Sequence, residues 1–176
     1  ASDVYKRQED DGYDLSLLLP CAPFDPAWLY DELYALAGGF ENEDLRMLVQ
    51  YLLREHREAL LRFPAALKLH HATRGGLLHH SWTIVQLARG VCDTYPLLDR
   101  ELVYAGAILH DIGKLAELET GKLGIASAYT APGQLLGHIS IGVSMISEAG
   151  QLLGVSDETV LLLEHMLLSL IHISEP

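Results

Sequence analysis

A run of eight uncharged residues, 102–109, ends in the dipeptide His110-Asp111. The run is apolar on every side of a helical wheel, which predicts a helix buried all round rather than an amphipathic surface helix. A carboxylate at the end of such a helix is removed from water, and this is costly unless the carboxylate is paired or bound to a cation. Because an imidazole stands directly before Asp111, the dipeptide indicates a metal site.

A second histidine lies thirty positions upstream, in a segment that also has helical spacing. Residues 77–91 follow a glycine pair and predict a helix, on which His80 shares a face with three apolar residues. These are Ile84, Leu87 and Val91. We therefore expect His80 to point inward and His79 to point toward solvent. A single histidine on an apolar face is more often a core residue, but together with His110-Asp111 it completes a set of metal ligands.

The rest of the chain predicts an all-α helical bundle. Apolar residues recur at helical spacing over residues 28–37, 45–63 and 137–149. Asn42 or Asp44 is expected to cap the second of these helices. Residues 119–133 are rich in glycine, threonine and alanine and predict one short loop or hairpin excursion.

Two imidazoles and a carboxylate suit Mn, Mg, Fe or Zn, and three protein ligands leave positions for water and a phosphate oxygen. This chemistry favours hydrolysis of a phosphoester. Lys114 lies one turn beyond His110, so its ammonium could stabilise negative charge on a phosphate. From the spacing alone, a solvated lysine near a helix end is an equal alternative.

Four short motifs carry a resemblance to a known family. They are residues 69–72 (Leu-His-His-Ala), 75–80 (Gly-Gly-Leu-Leu-His-His), 105–114 (Ala-Gly-Ala-Ile-Leu-His-Asp-Ile-Gly-Lys) and 135–139 (Leu-Leu-Gly-His-Ile). Together they resemble the HD superfamily of metal-dependent phosphohydrolases and, within it, the HD domain of YhaM-type 3′-5′ exoribonucleases. The resemblance extends over most of the chain, from about residue 24 to residue 169.

The resemblance implies a fold, a cofactor and roles for residues. It implies an HD-domain helical bundle that binds a divalent metal through His80, His110 and Asp111, with Mn as the first candidate. Asp111 and Lys114 are the catalytic residues that it implies, and His138 is a ligand of a second metal. A structural role for His138 stays open. The resemblance also implies single-stranded RNA as substrate and an OB-fold domain ahead of the HD domain.

Charge is unevenly distributed along the chain. The net charge of −12 disfavours broad binding of nucleic acid, but residues 46–74 contain six basic and two acidic side chains. We expect Lys68, His71 and Arg74 to contact the substrate. We expect Arg46, Arg54 and Arg57 to lie on the solvated face of a helix.

The sequence departs from the family pattern at its ends. The HD pattern requires a further aspartate downstream, but Asp157 is the only aspartate after Asp111, and Ser156-Asp157 predicts a helix cap. Residues 2–8 and 169–176 resemble peptides translated from sequencing-adapter DNA. We expect residues 1–23 to be a non-native or linker segment and residues 170–176 to be a non-native tail. We therefore expect residues 24–169 to form an HD domain cut short at its C-terminal end, and whether this chain is catalytically active or inactive stays open.

Two other functions stay open from the sequence. One is hydrolysis of small nucleotides, which needs no OB-fold domain, and the other is a non-catalytic helical module with a metal site. We expect a cytoplasmic protein with reduced, structural cysteines Cys21 and Cys92, because membrane spans, secretory signals and paired cysteine spacings are not found. The oligomeric state stays open, with a homo-oligomer among the alternatives.

Overall fold

The computed structural model describes residues 24–63, 75–120 and 126–169. The helices in these ranges are α1 (Pro26–Gly38), α2 (Glu43–Glu55), α3 (Arg57–Leu60), α4 (Gly76–Thr94), α5 (Arg100–Leu109), α6 (Lys114–Glu117), α7 (Ala131–Leu153) and α8 (Asp157–Ser169). Two strands, β1 (Leu118–Thr120) and β2 (Ala126–Tyr129), pair antiparallel. Within these ranges, the predicted all-α bundle and its one short excursion are confirmed.

Side-chain caps determine where several helices begin. Asp25 accepts a hydrogen bond from the Ala27 N–H and precedes Pro26 at the start of α1, as the Asp-Pro pair predicts. Asn42, and not Asp44, caps α2 by accepting from the Leu45 N–H at 3.0 Å. The hydroxyl of Thr130 accepts from the Gly133 N–H at 2.9 Å, so α7 begins inside the segment that we expected to be irregular.

The predicted continuous helix over residues 45–63 is wrong, because the chain leaves helical geometry at His56. The break turns α3 so that Leu60 and Phe63 become buried, and this burial outweighs the local preference for an unbroken helix. His56 is half-buried at this break, and burial lowers the pKa of its imidazole.

The core is formed by faces of α1, α2, α4, α7 and α8 together with the buried helix α5. Five residues of α2 predicted to share a stripe are all buried, namely Leu45, Leu48, Val49, Leu52 and Leu53. Helix α5 is buried over most of its surface, as its apolar composition predicts. Cys92 is buried with a free thiol, whereas Cys21 lies outside the described residues.

The buried face of α4 is not the one that the sequence predicted. Its core residues are Leu77, Leu78, Ser81, Val85, Ala88 and Cys92. The predicted face instead borders an open groove of about 460 Å³ between α4, α5 and α8, in which Leu87 is 63% and Val91 46% exposed. His79 is half-buried against the ring of Phe24 and does not point freely into solvent.

Helix α7, with 23 residues, is interrupted at Gly137, whose φ of 71° and ψ of 161° are not helical. Such a backbone conformation favours glycine, because a side chain would clash with the backbone. The helical segment after this kink begins at His138. None of the helices within the described ranges combines the length and apolarity that a bilayer crossing requires.

Candidate metal centre

Asp111 lies in the turn between α5 and α6, and it is only 5% exposed. Its Oδ2 atom lies 3.4 Å from Nε2 of His80 and 3.3 Å from Nε2 of His110. Its Oδ1 atom lies 3.3 Å from Nε2 of His138. Of the four residues predicted as metal ligands, the three histidines thus surround the carboxylate of the fourth, Asp111.

His110 is oriented by the helix that it ends. Its Nδ1 lies 2.9 Å from the carbonyl oxygen of Ala107, which can only accept a hydrogen bond, so Nδ1 carries the proton. In the neutral ring the lone pair is therefore on Nε2, which faces Asp111 and lies 3.0 Å from Nε2 of His80. Metal-binding histidines are commonly oriented by such a bond to a carbonyl.

His80 enters the site from α4, near the start of that helix. Its side chain is 40% exposed, whereas those of His110 and Asp111 are 15% and 7% exposed. His80 therefore lies at the rim of the site and borders solvent, rather than being packed inside the core as an inward-facing residue. The prediction that it meets the doublet is consistent with this position.

His138 contacts two carboxylates, one of which the sequence did not single out. Oε1 of Glu117 lies 3.1 Å from both the backbone nitrogen and Nδ1 of His138. Glu117 is buried at the end of α6, between Ala116 and Leu118. Its sequence signal is weak, namely an acidic residue between apolar neighbours six positions after Asp111.

Lys114 forms the shortest contact of the cluster. Its Nζ donates a hydrogen bond to Oδ2 of Asp111 at 2.7 Å. The ammonium is thus placed beside the carboxylate and one turn from His110, where the spacing predicts it.

The electrostatics of the site follow from these contacts. Burial by itself would raise the pKa of Asp111, but hydrogen bonds that His110 and His138 donate when their rings are fully protonated, together with the charge of Lys114, hold this pKa well below its usual range. Hydrogen bonding to Asp111 raises the pKa of His138; burial opposes this effect and Glu117 adds to it. Asp111 is therefore ionised at neutral pH.

The donor set fits a divalent cation. The ligand atoms of His80, His110 and Asp111 all lie within 4.8 Å of one another. With Nδ1 of His110 protonated, its Nε2 lone pair faces a carboxylate oxygen, and two acceptors this close repel unless a cation or a proton lies between them. Two imidazoles and a carboxylate are a ligand set that Mn, Fe and Zn accept.

Three predicted substrate-binding residues, Lys68, His71 and Arg74, lie outside the described residues. Asp157 is exposed in the first turn of α8, and the Ser156 hydroxyl accepts from the Thr159 N–H at that helix start. His165, on the same helix, is exposed.

Comparisons with known proteins agree with the geometry. The chain is 37% identical over 161 residues to the 3′-5′ exoribonuclease YhaM of Bacillus subtilis (strain 168), covering 92% of this chain and 50% of the relative. It is 37% identical to the protein of the same name from Geobacillus sp. (strain WCH70), covering 92% of this chain and 49% of the relative. The corresponding protein of Shouchella clausii (strain KSM-K16) is 38% identical over 159 residues, covering 90% of this chain and 49% of the relative.

The chain thus spans about half the length of the curated relatives that it matches. No solved structure matches it. A second family model, TraI_2, described as a helicase family, matches residues 29–103, less than half of the chain. The model of the HD domain matches residues 77–173, more than half of the 176 residues, and the chain therefore belongs to the HD domain family.

Proposed function

We propose that this chain catalyses metal-dependent hydrolysis of phosphodiesters, as the HD nuclease domain of a 3′-5′ exoribonuclease that acts on single-stranded RNA. The observation that carries the proposal is the convergence of His80 and His110 on the buried carboxylate of Asp111. The names of the relatives supply the substrate class.

His80, His110 and Asp111 would hold a divalent metal, with Mn²⁺ as the first candidate and Mg²⁺, Fe²⁺ and Zn²⁺ as alternatives. His138, whose Nε2 faces Oδ1 of Asp111, would contribute a ligand to a second ion. When bound, such metals activate water and polarise the phosphoryl group.

Lys114 supplies positive charge beside the reacting centre. Its ammonium contacts Oδ2 of Asp111, the oxygen that also faces His80 and His110. In the proposed reaction it stabilises the negative charge that develops on a non-bridging phosphate oxygen.

Binding of the RNA chain requires contacts outside this centre, because a net charge of −12 repels a polyanion. Lys68, His71 and Arg74 are proposed as substrate-binding residues on the basis of the sequence alone. An OB-fold domain as the partner in RNA binding and a cytoplasmic location are likewise predictions.

The proposal is tested by metal analysis and nuclease assays on the purified chain and its Asp111→Asn variant. Asp157→Asn is the matched control, because it makes the same change at an exposed aspartate of α8. We expect Mn²⁺-dependent shortening of 5′-labelled single-stranded RNA by the wild type and the control, and loss of both metal and activity in Asp111→Asn.

The choice of substrates separates the other functions. Hydrolysis of nucleoside triphosphates without shortening of RNA would support a small-nucleotide phosphohydrolase instead. Bound metal without hydrolysis of any phosphoester would indicate a non-catalytic module. Absence of metal from the wild type under saturating Mn²⁺ would contradict the proposed centre itself.

A further inference from the structure

Glu117 is a buried carboxylate whose side chain makes two hydrogen bonds to a single residue. Its Oε1 accepts from the backbone N–H of His138 and from Nδ1 of the same residue, both at 3.1 Å. Because a carboxylate only accepts, Nδ1 carries the proton, and the lone pair of the neutral ring is on Nε2. That Nε2 lies 3.3 Å from Oδ1 of Asp111.

The backbone explains why these two residues meet. The kink at Gly137 makes His138 the first residue of a helical segment, so its N–H has no acceptor in the preceding turn. The Glu117 carboxylate accepts this hydrogen bond instead. The backbone of Glu117 is also held, because its carbonyl accepts from the N–H of Thr130 at 2.9 Å.

Capping of the helix alone would need only the bond to the backbone N–H. The second bond, to Nδ1, determines which ring nitrogen of His138 is protonated and which way the ring faces. A carboxylate bonded to a histidine in this way also increases the basicity of the opposite nitrogen, and such partners typically change metal affinity by about 10–100-fold.

We propose that Glu117 is a positioning residue of the metal centre, which holds His138 with its Nε2 directed toward Asp111 and toward a bound cation. This inference rests on the proposed function, because it takes His138 as a metal ligand. Glu117 acts through His138 and does not contact the substrate.

The first test measures Mn²⁺ and Co²⁺ affinity of the full chain by titration calorimetry. Glu117→Ala should weaken binding by about 10–100-fold, whereas Glu117→Gln should recover part of the loss, because its amide oxygen can accept the same two bonds. Glu148→Ala is the matched control, since Glu148 is exposed on α7, the helix that carries His138. Its affinity should stay within about twofold of the wild type.

The second test asks whether the effect passes through His138. In a His138→Ala background, Glu117→Ala should change metal affinity by less than about twofold, because the ligand that it positions is gone. An equal loss with and without His138 would mean that Glu117 acts on the fold in general, and the proposal would be overturned.

The third test needs no metal, so its result does not depend on the proposed function. Nitrogen-15 NMR of labelled histidines in the metal-free protein, at a pH where His138 is neutral, should show the proton on Nδ1. In Glu117→Ala the proton should move to Nε2, where Oδ1 of Asp111 can accept it. A signal of His138 that is unchanged in this variant would contradict the proposal, even if the chain binds metal.

Discussion

Replacement of Gly113 by alanine would test whether the metal centre depends on the close approach of two backbone segments. Gly113 directly follows Ile112 in the turn that carries the doublet, and its φ of −64° is ordinary for any residue. Glycine is therefore not required there by backbone conformation. A Cβ at this position would lie 2.6 Å from the backbone nitrogen of Gly142 and still closer to the carbonyl oxygen of His138.

The magnitude follows from this geometry. Ordinary contacts between heavy atoms begin at about 3.5 Å, so the turn and α7 would have to separate by about 1–1.5 Å. Neither neighbour can rotate away, because both are backbone atoms of α7. We expect Gly113→Ala to lower the free energy of unfolding by about 1–3 kcal/mol, as overpacking does, and to move His138 away from Asp111. A displacement of about 1 Å in a reacting centre can lower the rate by about 100-fold.

The assay is urea unfolding followed by circular dichroism, with Mn²⁺ affinity measured on the same preparations. Gly90→Ala is the matched control, because a Cβ at this exposed position of α4 meets nothing within 4 Å. This variant should be more stable than the wild type by about 0.5–1 kcal/mol, since alanine favours the helix. A Gly113→Ala protein within about 0.5 kcal/mol of the wild type, with unchanged Mn²⁺ affinity, would refute the reasoning.

Three further predictions concern charge. Lys114→Met should lower the rate of phosphodiester hydrolysis by about 100-fold without weakening Mn²⁺ binding in calorimetry, because the ammonium stabilises charge and is not a ligand; weaker Mn²⁺ binding would contradict this. Mn²⁺ at about 100 times its Kd should raise the free energy of unfolding, measured in urea, by about 2.7 kcal/mol. A chelator or the Asp111→Asn substitution should remove this gain. Hydrogen bonds from Ser156 hold the pKa of Asp44 below its usual value in the folded state. Ionised Asp44 therefore stabilises the fold above about pH 4, and this stabilisation is lost as the pH falls through the lower pKa of the folded state. Asp44→Asn should therefore lower the free energy of unfolding by about 1 kcal/mol near pH 7 and leave it unchanged at a pH where Asp44 is protonated. Urea unfolding over a pH series measures this difference, and an equal loss at all pH values would exclude an origin in the charge of Asp44.

The sequence predicted most of the cluster, from residue type and spacing and, for His138, from the family resemblance. His80, His110, Asp111, Lys114 and His138 were named as site residues, and the structure brings all five together. Their roles as ligands and catalytic groups stay proposals. The buried Glu117 was missed, because its contact with His138 depends on the kink in α7, and no periodicity marks that kink.

The fold was predicted well where local signals were strong. The apolar stripe of α2, the Asp25 cap and the excursion after α6 follow from spacing, capping and turn-forming residues. Predictions failed where the end of a helix or its buried face depended on packing against another helix. The break at His56 and the core face of α4 are two such cases.

Composition and order of residues by themselves determined that this chain is helical, that its doublet ends a buried helix, and that a carboxylate there needs a cationic partner. They do so because helix periodicity, capping and the cost of burying charge act over a few residues or on a single group. Only the tertiary structure decided which side of α4 is buried and which histidine nitrogens face Asp111. It also placed Glu117 against His138. These outcomes depend on contacts between segments far apart in the chain, and the packing of whole helices sets such contacts.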